Sequence, residues 1–402
     1  MKGLRGPAAR RALLIGIPLA LATGLKLWLA LTTFGTNDVR YWNTFMRYIV
    51  AKGTVTIYRD IWYYNHPPAV SGFLWLLHLV ADHAPHGFPF AMRLPAILAD
   101  VGSVLLMYRL VRLGWGERRG ILCAVGVALS PILVLVSGFH GNTDPVFMCL
   151  ILLAADRLLI GKSAASAGAI LGVAINVKLV PLLVVPIFFL HLDGTRARGR
   201  FAAALAGVIG LGFGYHFAVA APFVKRNVFE YSGLRNIWGV TELAHAGFPP
   251  IGSPGAGTAL KLLIAALIVT RAIAQSRHRP AARTPGDAAR GCLRSIGWAF
   301  LLFLLLTPGF GIQYLSWLAI ASFLIEPSWA FGYNLLGGAF SFAVYHYWNR
   351  GFPWNIADSD VVGAWKAPQA LVGRLTWLYL LTWVAVLVHA AVTRRRVGPP
   401  TP

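Results

Sequence analysis

The chain has 402 residues, of which 57% are hydrophobic and 12% are charged, and its formal net charge is +22. Its repeated apolar runs are about 20 residues long, the length that crosses a bilayer as a helix, so a soluble globular protein is excluded. The basic residues collect between these runs, as expected of cytoplasmic loops that face anionic lipid, and no basic patch on a soluble module indicates nucleic-acid binding.

The first apolar run, residues 12–33, follows a basic N-terminus, as the core of a signal peptide would. It is long enough to span and no A-x-A cleavage site closes it, so we interpret it as helix 1. The positive-inside rule then places residues 1–11 in the cytoplasm and the polar stretch 34–89 outside. Within that stretch, the apolar segment 67–80 is too short to cross, and a crossing there would place the basic residues of 109–119 outside. We therefore predict a re-entrant or interfacial helix.

The later apolar runs predict further helices that alternate in direction. They lie at residues 90–111, 120–138, 145–160, 164–177, 179–191, 201–222, 257–274, 295–308, 312–325, 329–346 and 371–392. The predicted fold class is all-α, a polytopic membrane protein with about twelve spans and both termini in the cytoplasm. We predict one domain, made of a cytoplasmic tail (1–11), helix 1 (12–33), the first external loop (34–89), a helical core (90–325) and C-terminal helices with a cytoplasmic tail (326–402).

Asp38 is the first candidate for chemistry, because it follows helix 1 by about one turn and so lies at the external membrane surface. A carboxylate there can reach a lipid headgroup and can act as general base towards a hydroxyl group. Alternatively, Asn37 or Asp38 caps the amphipathic segment 39–51, for which both residue types are well suited. The two roles are compatible.

Two other residues of the first loop are candidates with simpler alternatives. Asp60 is a second acid, but it can also form a local ion pair with Arg59 or Arg47. His66 can contact a phosphate or a sugar, although a single histidine is more often only hydrogen-bonded. The two prolines that follow it fit the first turn of an interfacial helix.

The external turn between helices 3 and 4 concentrates polar side chains, namely His140, Asn142 and Asp144. Because this turn faces the same side as the first loop, we expect a shared cavity. The alternative is turn chemistry, with Asp144 capping helix 4. Asp and His are metal ligands, but no paired ligand spacing is present and we predict no metal site.

Lys178 lies between two apolar runs at the external end of helix 5. An ionisable residue in such a place is a functional candidate, and an anionic lipid phosphate is its natural partner. Snorkelling to the outer interface is the simpler interpretation.

Two more polar clusters lie at predicted external helix ends. Gln313 and Tyr314 begin helix 10 beside glycines that allow close backbone approach, although interfacial tyrosines are common without a function. His346 and Arg350 follow helix 11 and can contact a phosphate.

Taken together, these motifs resemble the GT-C class of integral-membrane glycosyltransferases, and are most similar to its family-87 type, the polyprenyl-phosphate-mannose-dependent mannosyltransferases. The resemblance rests on motifs spread over most of the chain in order. They are Asn37–Asp38 after helix 1, GTVTIYRD and YYNHPP within residues 53–68, HGNTDP at 140–145, NVKLVPLLVVP at 176–186 and TPGFGIQYLSW at 307–317.

The resemblance implies a GT-C-like fold and roles for individual residues. Asp38 would be the catalytic base, Lys178 a contact of the donor phosphate, and His140 part of the cavity wall. Gln313 and Tyr314 would face the donor. Asn142 stands where the class more often has glutamine, so the sugar contact at this turn is not assigned. The candidate substrate-binding residues are therefore Asn37, Asp60, His66, His140, Asn142, Asp144, Lys178, Gln313, Tyr314, His346 and Arg350.

The implied reaction is transfer of a sugar, with mannose expected, from a polyprenyl-phosphate donor to a lipid or glycan acceptor. It needs no cofactor, and it would take place on the external face of the plasma membrane. A transporter or lipid flippase is the competing interpretation, in which Asp38, Asp60 and Lys178 would be coupling residues. The gathering of candidates at one face favours the transferase, whereas Lys26 and Asp100 inside predicted spans are unexplained. A non-catalytic partner in envelope glycan synthesis is a third alternative.

Overall fold

The computed structural model describes residues 6–231, 233–277 and 284–397. Residues 1–5 and 398–402, the ends of the two predicted cytoplasmic tails, lie outside the described residues. Part of the basic segment between predicted helices 8 and 9, residues 278–283, does so as well.

Most of the described part of the chain is helical. In the first half the helices are α1 (Pro7–Thr32), α2 (Asn37–Lys52), α3 (Thr56–Asp60), α4 (Pro68–Ala81), α5 (Phe88–Trp115), α6 (Glu117–Ala128), α7 (Pro131–Leu135), α8 (Asp144–Leu159), α9 (Ala164–Val177) and α10 (Val185–His191). In the second half they are α11 (Thr195–Val224), α12 (Gly239–Glu242), α13 (Pro254–Arg277), α14 (Pro285–Leu306), α15 (Leu315–Ala321), α16 (Pro327–Trp348), α17 (Ser359–Val362) and α18 (Ala367–Val397).

Shorter elements connect several of these helices. Single π-helical turns are Val136–His140 and Lys225–Phe229, and 3₁₀ turns are Val180–Val184, Leu243–Ala246, Pro249–Gly252, Ile312–Tyr314 and Ser322–Leu324. Two short strands, β1 (Gly35–Thr36) and β2 (Ile356–Ala357), pair in parallel. They join the end of α1 to the loop that follows α16.

The predicted all-α polytopic membrane fold is confirmed. Within the described residues, seven helices are long and apolar enough to cross a membrane, and they correspond to predicted helices 1, 2, 3, 7, 8, 9 and 12. The other predicted spans are helical as well, as α8, α9, the segment Val180–His191, the segment Ile312–Leu324 and α16. Apart from α16 they are shorter than the seven, and two of them are broken by 3₁₀ turns.

The loop predicted to be external, residues 34–89, contains α2, α3 and α4, which share a second apolar core with parts of α5 and α11. The amphipathic helix α2 buries Trp42, Phe45 and Ile49 on one face. The predicted interfacial helix is α4, which begins at Pro68 as expected. It buries Leu74 and exposes Trp75 on its other face, as an interfacial helix does.

Two ion pairs lie at one end of the helix bundle, and the candidate site lies at the other. At the end that holds the start of α1, Arg11 contacts Glu117 at 3.1 Å and Arg109 contacts Asp156 at 2.9 Å. Since α1 is 26 residues long, the first loop lies at the other end, about 39 Å away. Basic residues predicted to be cytoplasmic therefore lie far from the candidate site.

The two unexplained charges inside the predicted spans are partners of each other. Lys26 Nζ in α1 lies 2.6 Å from Asp100 Oδ2 in α5, and both side chains are buried. Ser137 also donates to this carboxylate, at 2.6 Å. The ion pair and this hydrogen bond link α1, α5 and the turn Val136–His140. The two buried charges therefore have a structural role.

Candidate active site

Asp38 lies in the first turn of α2, directly after the strand β1. Thr36 is the residue before the helix, and its hydroxyl donates to the carbonyl of His140 at 2.8 Å instead of capping α2. Asn37 is the first helical residue and accepts from Ser359 at 3.2 Å. The capping interpretation of Asn37 and Asp38 is therefore wrong, because both residues lie inside the helix. A carboxylate in a first turn is still favoured by the helix dipole.

The turn after predicted helix 3 brings His140 and Asn142 to Asp38. Asp38 Oδ2 lies 3.0 Å from Nε2 of His140 and 3.3 Å from Nδ2 of Asn142. The helical ladder widens into the π turn Val136–His140, and Gly141 ends it with φ +79°. A π turn contains one extra residue, which changes the direction of the side chains that follow. Such turns are common at functional sites. The first loop and this turn are thus in direct contact, and the cavity expected between them stays a prediction.

The side chains of this cluster differ in exposure, which separates their roles. Asp38 keeps 33% of its side-chain surface, whereas His140 keeps 3%. His140 is held from its other side by Tyr345, whose hydroxyl lies 3.0 Å from Nδ1. The arrangement is a carboxylate that substrate can reach, oriented by a buried imidazole that a tyrosine orients in turn.

Asp38 is set up to be ionised. Burial raises the pKa of its carboxyl, but the charge and hydrogen bond of His140 lower it, with a smaller lowering effect from Lys178, and the net pKa is below the ordinary value. Such a carboxylate is deprotonated at neutral pH and can accept a proton from an acceptor hydroxyl.

Lys178 forms the second half of the site. It follows α9, where Gly172 allows α9 to pack closely against Val208 of α11. The ammonium group makes an ion pair with the buried carboxylate of Asp144, at the start of α8. It also lies 5.2 Å from the ring centre of Tyr314 and 5.1 Å from that of Trp317, within cation–π range. Lys178 meets a protein anion and two rings rather than snorkelling alone.

His66 borders both halves without a direct bond to Asp38 among the described contacts. Its ring stacks on Trp42 at a centroid distance of 4.1 Å. Burial and the charge of Lys178 lower the pKa of His66 to about 3, against a raising effect of Asp38. The imidazole is therefore neutral and can serve as a hydrogen-bonding group but not as a cation.

Asp60 is not brought to this cluster by any contact of the described residues. Its carboxylate accepts from the hydroxyl of Tyr48 and lies 3.9 Å from Lys52. The expected pairing with Arg59 or Arg47 is replaced by these contacts, because Arg59 instead donates to the carbonyl of Val219 at 3.1 Å.

The remaining candidates lie at the same end of the bundle but outside the contacts of Asp38. His346 accepts from the indole of Trp354 at 3.3 Å and packs among aromatic rings. Arg350 is exposed in the turn after α16, with φ +59°. Gln313 is half-buried beside Gly311, where an added Cβ would lie 2.7 Å from its Oε1.

Several residues of the site were not singled out from the sequence. Tyr345 orients His140, and Trp317 joins Tyr314 against Lys178. Tyr231, in the loop after α11, has its pKa raised by burial and then by the charge of Asp38. Aromatic residues at helix ends are typical of every membrane interface, so the sequence carried no signal that distinguished these. Among the described residues, no group of three or more His, Cys, Asp and Glu side chains is arranged to hold a metal ion.

Comparisons with known proteins point to one class. The family of dolichyl-phosphate-mannose-protein mannosyltransferases matches residues 65–222. A protein of Bacillus subtilis (strain 168) described as putative mannosyltransferase YycA is 29% identical over 162 residues, which cover 38% of this chain. The chain covers only 24% of the length of that relative.

The family match includes His140, Asn142, Asp144 and Lys178, and it begins after Asp38. The narrower likeness to the family-87 type stays a prediction. With the all-α multi-pass fold, the comparisons confirm the resemblance of this chain to the GT-C class of integral-membrane glycosyltransferases.

Proposed function

We propose that this protein is a membrane glycosyltransferase that moves a sugar, with mannose expected, from a polyprenyl-phosphate donor to a hydroxyl group of a lipid or glycan acceptor. The observation that carries the proposal is an accessible carboxylate, Asp38, which is held at 3.0 Å by the buried imidazole of His140. A largely buried ammonium group, Lys178, adds a positive charge that helps to lower the pKa of Asp38.

In the proposed reaction, Asp38 takes the proton of the acceptor hydroxyl as its oxygen attacks the anomeric carbon. The new carbon–oxygen bond forms while the bond between that carbon and the phosphate oxygen breaks. The acceptor oxygen attacks the face opposite to the phosphate, which departs with the electron pair, so the configuration at carbon is inverted. His140 keeps Asp38 in position and leaves one carboxylate oxygen, Oδ1, for the incoming proton.

Lys178 would stabilise the negative charge that builds up on the leaving phosphate. An ammonium group has three donors, of which Asp144 uses one in the structure. The carboxylate and the rings of Tyr314 and Trp317 hold the charge in place before substrate arrives. Preorganised charge of this kind is usually the largest single contribution to catalysis.

The competing transporter interpretation, in which Asp38, Asp60 and Lys178 would be coupling residues, loses one support. Lys26 and Asp100, the charges within predicted spans that had no explanation, form an ion pair with each other at 2.6 Å. The remaining candidates gather at one end of the bundle, as a one-sided enzyme requires and an alternating-access carrier does not. We propose that this end faces outwards from the plasma membrane, with both termini in the cytoplasm.

The test uses the full chain in nanodiscs with radiolabelled polyprenyl-phosphate mannose and a cell-envelope lipid extract as acceptor source. We expect label to move from the donor to a new lipid or glycan product, with released polyprenyl phosphate in equal amount. In parallel, proteoliposomes report whether the donor crosses the bilayer. Crossing of the donor without formation of any product would contradict the transferase and support a flippase.

A further inference from the structure

Asp38 and His140 reach each other from separate parts of the chain, through irregular backbone on both sides. Asp38 follows the end of α1 and the strand β1, and His140 ends a π turn. Both kinds of element leave backbone carbonyls without a helical partner, and such groups must be satisfied when buried. A single side chain that donates hydrogen bonds to carbonyls of both segments would hold the two sides of the site in a fixed relative position.

Arg93, in the second turn of α5, meets this need. Its side chain is fully buried, with 0% exposure. Nη2 donates to the carbonyls of Ala30 at 3.0 Å and Thr33 at 2.6 Å, which end α1. Nη1 donates to Gly138 in the π turn at 3.1 Å and to the hydroxyl of Thr33 at 3.0 Å.

The remaining bonds of Arg93 complete the same pattern. Nη1 reaches Leu29 O at 3.5 Å, and Nε donates to Pro89 O of its own helix at 2.8 Å. None of these acceptors is a carboxylate. A guanidinium group keeps its five donors at every physiological pH, so the bonds do not depend on protonation.

The two sides that Arg93 joins are in direct contact next to it. A Cβ added at Gly35 would lie 2.7 Å from the carbonyl of Phe139. One added at Gly141 would lie 3.3 Å from Cγ of Arg93 itself. Thr36, one residue after Gly35, donates to His140 O at 2.8 Å. The guanidinium group therefore lies at the base of the contact that brings Asp38 to His140.

We infer that Arg93 is a positioning residue of the active site, which clamps the end of α1 to the π turn and so sets the Asp38–His140 distance. This inference rests on the proposed function for its catalytic part only. The clamp acts through the planar fork of the guanidinium group, because a single ammonium group cannot reach Ala30, Thr33 and Gly138 together. Arg93 acts on Asp38 through backbone geometry and touches no reacting atom.

The first test does not need activity. Hydrogen–deuterium exchange of the full chain in nanodiscs is compared for wild type, Arg93→Lys, Arg93→Met and the control Arg109→Met. Arg109 is on the same helix, about 24 Å away, and pairs with the buried Asp156 at the opposite end of the bundle. We expect faster exchange in residues 34–46 and 136–147 for both Arg93 variants, and unchanged exchange there for Arg109→Met.

Unchanged exchange in these two segments for both Arg93 variants would overturn the clamp. So would exchange that rises equally throughout the chain, because that is a general loss of stability. If Arg93→Met does not fold, Arg93→Lys and Thr33→Val decide, since Thr33→Val removes only the hydroxyl contact and leaves the guanidinium group. We expect a smaller increase in the same two segments for Thr33→Val.

The second test separates positioning from mere support of the fold. We expect kcat to fall about 100-fold in Arg93→Lys with little change in the donor KM, the size of effect that a misplacement of about 1 Å produces. His140 lowers the pKa of Asp38 against the raising effect of burial, so a displaced His140 raises that pKa and moves the acid limb of activity to higher pH. If kcat falls while the acid limb stays at the wild-type pH, the loss reflects only a lower fraction of folded enzyme. That result would contradict the inference. If wild type transfers no sugar at all, the proposed function fails while the exchange test still decides the clamp.

Discussion

Oδ2 of Asp38 lies 3.0 Å from Nε2 of His140, although 102 residues separate them in the chain. The other ring nitrogen of His140 lies 3.0 Å from the hydroxyl of Tyr345. Nε2 of His140 donates to Asp38, and the hydroxyl group of Tyr345 holds the ring from Nδ1. The three residues then form a chain that orients the proposed base while leaving its Oδ1 atom for the acceptor.

Replacing Tyr345 with phenylalanine tests this chain. The change leaves Nδ1 of a buried imidazole without its partner, which costs about 1–3 kcal/mol and allows the other tautomer. We expect transfer to fall about tenfold or more in kcat, with the donor KM nearly unchanged. Tyr347→Phe is the matched control, because its hydroxyl makes only a 3.4 Å contact with the carbonyl of Val362. Equal activity of the two variants would show that Tyr345 does not orient His140.

Replacing His140 with glutamine should change the pH dependence of transfer. The imidazole makes the largest contribution that lowers the pKa of Asp38, and without it the raising effect of burial is opposed less. The base must be ionised to act, so its higher pKa means that activity is lost at a higher pH on the acid side. The measurement is kcat/KM as a function of pH for wild type and His140→Gln. An acid limb at the same pH in both proteins would mean that Asp38 is not the group that titrates.

The pair of Lys178 and Asp144 predicts a difference between single and double variants. Lys178→Met leaves the fully buried carboxylate of Asp144 uncompensated, which typically costs about 3–5 kcal/mol. The double variant Lys178→Met/Asp144→Asn should recover much of the thermal stability in detergent. We expect transfer to stay low in both, because the leaving phosphate has lost its cation. Full activity of the double variant would remove Lys178 from the proposed mechanism.

The buried pair of Lys26 and Asp100 should affect stability and leave the reaction unchanged. Lys26→Met alone strands a buried carboxylate, whereas Lys26→Met/Asp100→Asn removes both charges and should be closer to wild type in thermal unfolding. We expect the rate of transfer by the double variant to stay within about twofold of wild type. A tenfold loss would correspond to about 1.4 kcal/mol of transition-state stabilisation. Loss of transfer at wild-type stability would show that these charges take part in function, as a carrier requires.

The helices of the bundle could be predicted from the sequence, whereas their orientation in the membrane stays a prediction. Apolar runs predicted every long helix, because the bilayer imposes a length that few other structures share. The alternation of spans placed Asp38, His140 and Lys178 at one end, and the structure joins the first two directly. The start of the interfacial helix α4 at Pro68 was also predicted.

The contacts inside the site could not be predicted from the sequence, because hydrophobic periodicity does not show which helices are neighbours. Asp60 resembled Asp38 in residue type and loop, yet α3 turns it towards Tyr48 and Lys52. The π turn before His140 depends on packing against α1 and has no motif of its own. Tyr345 shares its residue type with every interfacial tyrosine of the chain.

Arg93 is the residue that sequence reasoning had the means to find. An arginine at the fourth position of a predicted span is costly in a membrane and is a functional candidate by that fact alone. Its acceptors are backbone carbonyls and one hydroxyl group, however, and the sequence does not show which carbonyls lie near it. The signal was therefore the charge itself, and its role follows only from the fold.

The most direct measurement compares sugar transfer by wild type, Asp38→Asn and Asp60→Asn, all in nanodiscs with labelled polyprenyl-phosphate mannose and with donor binding measured separately. Both acids belong to the first external loop, but only Asp38 contacts His140. We expect Asp38→Asn to bind the donor normally and to transfer at least about 100-fold more slowly, since it lacks the general base, while Asp60→Asn remains active. Full transfer by Asp38→Asn would contradict the proposed role of Asp38, because the base would then be another residue.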